Sequence, residues 1–276
     1  MIKDLLKQSL TENTLNRLRR IRRRAAFYTE VIIGGGPRRE QFLLRLLRRH
    51  YDAQFRRDWE LSEEEPHFFS HKMGMFKLAF GGEAIGPYAY SRGFYSAEVV
   101  REGDRLLDIG CGDGFFTKRF LSVRCSKVDA VDIEPSAIHA AQKNNSAPNI
   151  AYHLLDAVNE PFPSGEYDVI VWDGALGHFS AETTHIMLDK IAKHLAPEGI
   201  FVGSESLGHE GTDHLQFFDS LDVLRAIFSA HFQHVELRSI DYPTAGFIRS
   251  EAFWRCGQTR DRLESNHWRT STNSSK

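Results

Sequence analysis

The segment Leu106-Leu107-Asp108-Ile109-Gly110-Cys111-Gly112-Asp113-Gly114 runs an apolar strand into a turn of three alternating glycines. Glycine lets a backbone bend sharply and approach a ligand with no Cβ in the way. Phe115 to Phe120 continues at helical spacing, so the turn opens a helix whose first N–H groups face polar ligand atoms. Acids stand at the ends of other apolar runs. Val131-Asp132-Ile133-Glu134 offers a carboxylate suited to ribose hydroxyls, and Leu155-Asp156-Ala157 a carboxylate beside a backbone N–H, suited to an adenine edge. Trp172-Asp173-Gly174 precedes His178, and Ser204-Glu205-Ser206 precedes Asp213-His214. His178 and His214 are candidate general bases, with Asp213 or Glu205 to orient either ring. Each also has a structural reading, His178 as a helix-start residue and His214 as one of 13 histidines. Cys111 reads as small packing inside the turn.

These residues need strands to present them. Strands are predicted at 105–109, 127–132, 150–155, 167–172, 200–204, 234–240 and 246–256, with helices at 115–121, 135–144, 181–195 and 220–232 between them. Alternation of this kind predicts an α/β fold with a doubly wound, mostly parallel sheet, whose last two strands form an antiparallel edge. Ligands of such sheets sit at the carboxyl ends of the strands, where Asp108, Asp132, Asp156, Asp173 and Glu205 fall. Upstream, residues 1–29 read as a helix. After Gly34-Gly35-Gly36-Pro37 a second helix carries the stripe Leu43, Leu47, Tyr51, Phe55, Trp59. Residues 61–95 are rich in aromatics and glycine and read as a cap. The expected division is therefore a basic helical extension and cap at 1–95, the α/β domain at 96–256, and a polar, disordered tail at 257–276.

Bulk properties narrow the class. Three cysteines without a CxxC pair disfavour a disulfide framework or zinc site and favour a reducing compartment, and no metal site is expected. No segment reads as a signal peptide or membrane span, so the expectation is a cytoplasmic protein. The net charge of −2 conceals a division: residues 1–58 hold 15 Lys and Arg against 6 Asp and Glu. The densest cluster is Arg19, Arg20, Arg22, Arg23 and Arg24. It is either a solvated helical face or a contact for phosphate-rich partners, lipid headgroups or nucleic acid.

The glycine spacing separates ligand classes. A dinucleotide fingerprint is G-x-G-x-x-G, whereas here Gly110, Gly112 and Gly114 alternate and Phe115 follows; no Gly-Lys-Ser/Thr of a phosphate-binding loop is present. Together with Val131-Asp132-Ile133, Asp156-Ala157, Asp168-Val169-Ile170-Val171 and Leu195-Ala196-Pro197-Glu198-Gly199, the glycine segment resembles class I S-adenosylmethionine-dependent methyltransferases of the small-molecule type, over roughly residues 86–256. The resemblance implies a seven-stranded, Rossmann-like sheet with the cofactor over the glycine turn. It places Asp132 at the ribose, Asp156 and Ala157 at the adenine, and Gly110, Gly112 and the backbone of Trp172 and Asp173 at the methionine part, with Asp108, Cys111 and Ile133 also among the cofactor-binding residues. Glu198 stands where the family usually has glycine, on the turn at the start of the fifth strand, opposite the ligand.

Absences narrow the acceptor. No Asn-Pro-Pro-Tyr-like segment, Pro-Cys pair or paired-glutamate loop follows the fourth strand, which disfavours nucleic-acid amino groups, cytosine C5 and protein arginine. The expected activity is O-methylation of a small molecule or a sugar or glycan, including a lipid-linked one, with a histidine base. Residues 1–58 would touch an anionic membrane peripherally. The alternative is a nucleic-acid-binding methyltransferase, or a cofactor-binding RNA-interacting protein, using the basic N-terminus.

Overall fold

A computed structural model of the chain describes residues 12–33, 39–43, 45–46, 49, 88–209, 214–243 and 248–264. The chain divides into two compact units, 1–56 and 57–276. In the first, helix α1 (Glu12–Ile33) carries Phe27 and Tyr28, whose rings meet Phe42 of the helical residues 39–43 edge-on at 6.1 and 6.2 Å. The remainder of the predicted stripe (Leu47, Tyr51, Phe55, Trp59) and the proposed cap up to residue 87 lie outside the described residues.

The second unit opens with helix α2 (Tyr88–Ala97) and then alternates strand and helix. The strands are β1 (Arg105–Ile109), β2 (Lys127–Asp132), β3 (Ile150–Leu154), β4 (Tyr167–Asp173), β5 (Leu195–Leu207), β6 (His234–Pro243) and β7 (Ile248–Gly257). They form one seven-stranded sheet in the order β3-β2-β1-β4-β5-β7-β6, parallel except where β7 runs antiparallel to both neighbours. This is the predicted doubly wound sheet with its antiparallel edge. The central strands are apolar because both faces are covered: Leu106, Val128, Val169 and Val202 belong to one core cluster, and Leu107, Val131, Ile170 and Phe201 to another.

Helix α3 (Pro135–Asn144) starts where Glu134 accepts the Ser136 N–H and Pro135 takes the first turn. Helix α4 (Ala181–His194) starts at Ser180, whose hydroxyl accepts the Thr183 N–H at 3.2 Å. Helix α5 (Leu221–Ser229) precedes β6, and a short helix α6 (Asp261–Glu264) follows β7. The tail read as disordered therefore has an ordered start, because the buried Arg262 guanidinium reaches the Asp104 carboxylate and the Val99 carbonyl. The helix predicted at 115–121 departs from regular α geometry. A π-helical turn (Thr117–Leu121) closes with Ser122 N–H donating to Thr117 O at 2.8 Å. That widening brings the Thr117 hydroxyl to Asp108 Oδ2 at 2.6 Å, tying the start of the helix to the end of β1.

Candidate functional site

The order reversal between β1 and β4 opens a crevice at the carboxyl ends of the strands, and the glycine turn forms its floor. Gly110, Gly112 and Gly114 all adopt positive φ, which L side chains avoid. At Gly114 there is a second constraint, since a Cβ would collide with the Tyr152 hydroxyl of β3. Gly110 and Cys111 donate to Val131 O, which holds the turn against β2. Gly112 N–H donates to Asp132 Oδ2 at 2.8 Å and Glu134 N–H to Oδ1 at 2.9 Å. Burial raises the Asp132 carboxyl above its ordinary value, and these N–H donors work in the opposite direction.

Beside this carboxylate, Ile133 is 66% exposed and Leu154, at the end of β3, 56% exposed. Two apolar side chains facing solvent next to a buried acid suit a ligand with a flat heterocycle on one side and hydroxyls on the other. Asp156 lies one loop further. Its carboxylate accepts from Asn159 Nδ2 at 2.7 Å and Val158 N–H at 2.9 Å, and the Asn159 amide foremost holds it below the usual carboxylate range. The Asp156 N–H donates to Glu160, and the Ala157 carbonyl accepts from Lys190 Nζ, so these two backbone groups are already engaged within the chain.

A buried acid, Asp108, and a half-buried one, Asp173, flank the crevice floor. Asp108, at the end of β1, is pushed up to about 7, by burial first and then by Asp173 and Asp132; the Thr117 hydroxyl opposes the shift. Asp173, at the end of β4, is raised to about 6 by burial, against Arg92 and the hydroxyls of Ser204 and Ser96. A raised folded-state value means that ionising the group costs the fold. Their contribution is complete below the unfolded value near 3.8 and is lost as pH rises through about 6 to 7. Asp108→Asn keeps an oxygen for Thr117 and removes the charge. Its melting temperature is expected to match the wild type near pH 4 and to exceed it by several degrees above neutral pH, read from melting curves across that range.

On the other side of β4 the structure assembles groups that the sequence keeps far apart. Arg92 of α2 lies over Gly174, which has positive φ and where a Cβ would meet the guanidinium. Its Nε donates to Glu251 Oε1 of β7 at 2.8 Å, and Arg249 Nε donates to the other oxygen at 3.0 Å. Burial opposes the Arg92 charge, but Glu251, Glu205 and Asp173 together outweigh it. Sequence reasoning misses Arg92 and Glu251 because they stand 159 positions apart. The available signal is two charges, Arg249 and Glu251, inside a strand whose Phe253 and Trp254 are buried.

Glu205 joins the loops after β4 and β5. Its Oε2 accepts from Gly177 N–H and its Oε1 from Ser206 N–H, both at 2.9 Å, so it grips backbone, and no hydrogen bond links it to either histidine ring among the described contacts. Gly177 O in turn accepts from Leu215 and Gln216 N–H, closing the loop after β5 onto the loop after β4. The closure brings His178 and His214 together, edge to face, with ring centroids 4.6 Å apart. His214 packs so closely on Gly177 that a Cβ there would be 2.6 Å from Nδ1. Phe217 continues the row 6.0 Å from His214, and His209 stacks on Phe217 at 4.5 Å. Asp213 lies outside the described residues. Cys111 is buried and its thiol is pushed up by burial, in keeping with the packing role.

Residues 106–199 match the family model described as a methyltransferase domain. The chain is 27% identical over 140 residues to EEF1A lysine methyltransferase 4 of Mus musculus, covering 46% of this chain and 54% of that protein. It is 28% identical over 107 residues to the ribosomal protein L11 methyltransferase of Symbiobacterium thermophilum, covering 39% and 34%. The chain thus spans about half or less of these curated relatives. Among solved structures, the N-methyltransferase NodS from Bradyrhizobium japonicum WM9, in complex with S-adenosylhomocysteine, superposes with a TM-score of 0.50 at 23% identity, covering 62% of this chain and 89% of that one. At that identity the likeness is one of fold.

Proposed function

We propose that the chain, whose residues 106–199 match a methyltransferase domain, is a class I, S-adenosylmethionine-dependent methyltransferase that O-methylates a hydroxyl of a small molecule or glycan. The observation that carries the acceptor is the His178–His214 pair, 4.6 Å apart on the loops after β4 and β5. When bound, the cofactor supplies a methyl group on a sulfonium, a leaving group that needs no further activation. The chain's residues then have three tasks. Asp132 and the turn at Gly110 to Gly114 hold the nucleoside, with Ile133 against its flat face. Glu205 fixes the two loops, which would position an acceptor, and such positioning supplies much of the rate. One of the paired histidines would take the proton that an acceptor hydroxyl must lose. A positioned base of this kind adds about 10² to 10⁴ in rate.

A second reading has a specific observation behind it. Glu205 and Glu251 are buried and Asp173 half-buried, three carboxylates on the proposed acceptor side, against Arg92 and Arg249. That balance would suit a cationic amine, and two relatives bear names that refer to lysine or N-methylation. The readings part in one experiment. The protein is incubated with methyl-labelled cofactor and cell extract, and the label is followed into small-molecule, glycan, lipid, protein and nucleic-acid fractions. The proposal expects label in the small-molecule, glycan or glycolipid fraction, attached through oxygen. Label confined to protein lysines or to nucleic acid would refute it.

A further inference from the structure

We propose that α1 is a peripheral anchor for an anionic bilayer: its arginines take phosphate headgroups while neighbouring apolar side chains enter the acyl boundary. Arg19, Arg20, Arg22, Arg23 and Arg24 are all exposed, within six consecutive positions. At helical spacing the pairs 19/22, 19/23, 20/23 and 20/24 place like charges side by side, which destabilises a helix. No Asp or Glu stands three or four positions from any of the five. The like-charge pairs 20/23 and 20/24 therefore oppose the helix that carries them, and an apposed negative surface reverses the sign. All five are arginine, whose planar fork pairs with phosphate oxygens two at a time.

Phosphates occur on nucleic acids as well as lipids, and the apolar residues favour lipid. Ile21 sits inside the arginine run and is 55% exposed; with Ala25 and Tyr28 (49% exposed) it forms a stripe at i, i+4 and i+7. Phe27 is 41% exposed, and Leu43 and Leu46 of the same unit are exposed too. Aliphatic side chains gain nothing at a nucleic-acid backbone, whereas a cationic helix with an apolar stripe lies in a headgroup interface. No helix among the described residues is long and apolar enough to cross a membrane, so α1 would lie on the surface. The inference does not depend on the identity of the methyl acceptor.

The test uses the full chain with vesicles of phosphatidylcholine alone and of phosphatidylcholine mixed with phosphatidylglycerol. The protein is expected to sediment with the anionic vesicles, stay in solution with the neutral ones, and be released as salt screens the attraction. Changing Arg19, Arg20, Arg22, Arg23 and Arg24 to Gln should lower the partition coefficient by about three orders of magnitude. Ile21→Ser with Tyr28→Ser should remove whatever binding survives high salt. Melting curves with S-adenosylhomocysteine check that the variants keep the second unit folded. Sedimentation that ignores vesicle charge, no sedimentation, or displacement from the vesicles by RNA at equal phosphate would each overturn the proposal. Failure of the cofactor shift in the wild type would instead count against the methyltransferase reading.

Discussion

A variant with both His178 and His214 replaced by alanine is expected to bind the cofactor as the wild type does and to turn over about 10² to 10⁴ times more slowly. The split arises because the rings lie on the loops after β4 and β5, while the groups proposed to hold the nucleoside are at the ends of β1 and β2. Each single variant should lose less than the pair if either ring can accept the proton from a bound hydroxyl. His214 also fills the space against Gly177, so His214→Ala leaves a gap in the loop contact. His214→Gln, which restores bulk without a comparable base, separates the two contributions. Retained turnover in the double variant would remove the base and with it the main support for a hydroxyl acceptor. The measurement is kcat under saturating donor, paired with the cofactor-induced change in melting temperature.

What could be read in the sequence follows from which interactions are local. β1 and β2 fall where their apolar runs and terminal acids predict, because a strand buried on both faces writes itself as an uninterrupted run. Gly110, Gly112 and Gly114 signal the turn because positive φ leaves few other residue choices. The π-helical turn was not legible, since Thr117 gives no sign by itself that its hydroxyl is drawn to Asp108. Glu205 stands out in sequence as an acid at a strand end, yet its partner is the backbone of Gly177, 28 positions earlier, which spacing cannot reveal. Arg92 and Glu251 join an N-terminal helix to the last strand, a contact set by the antiparallel insertion of β7. β5 likewise begins at Leu195, earlier than its apolar core at Ile200 suggests, through a register shift against β4.

Asp132→Ala should have the largest effect on ligand binding. The carboxylate is buried and organises the turn by accepting Gly112 and Glu134 N–H, and the proposed ribose contact would use its remaining acceptor capacity. Hydrogen bonds to a charged group contribute about 1.5 to 3 kcal/mol each, so two lost bonds weaken binding by about 10² to 10⁴. Alanine also leaves the two N–H groups unsatisfied, which lowers basal stability. Asp132→Asn keeps an acceptor oxygen and much of the turn, and separates lost binding from lost folding.

The most direct test of the account is a titration of the wild-type chain with S-adenosylhomocysteine, followed by melting temperature. Mass action on a native-state site predicts a rise that continues with ligand concentration and reaches about 5 to 10 °C at a hundredfold excess over Kd, with Asp132→Asn showing a much smaller rise at the same concentrations. A wild-type melting temperature that stays flat, or an equal rise in the Asp132→Asn variant, would contradict the assignment of this crevice to the methyl donor.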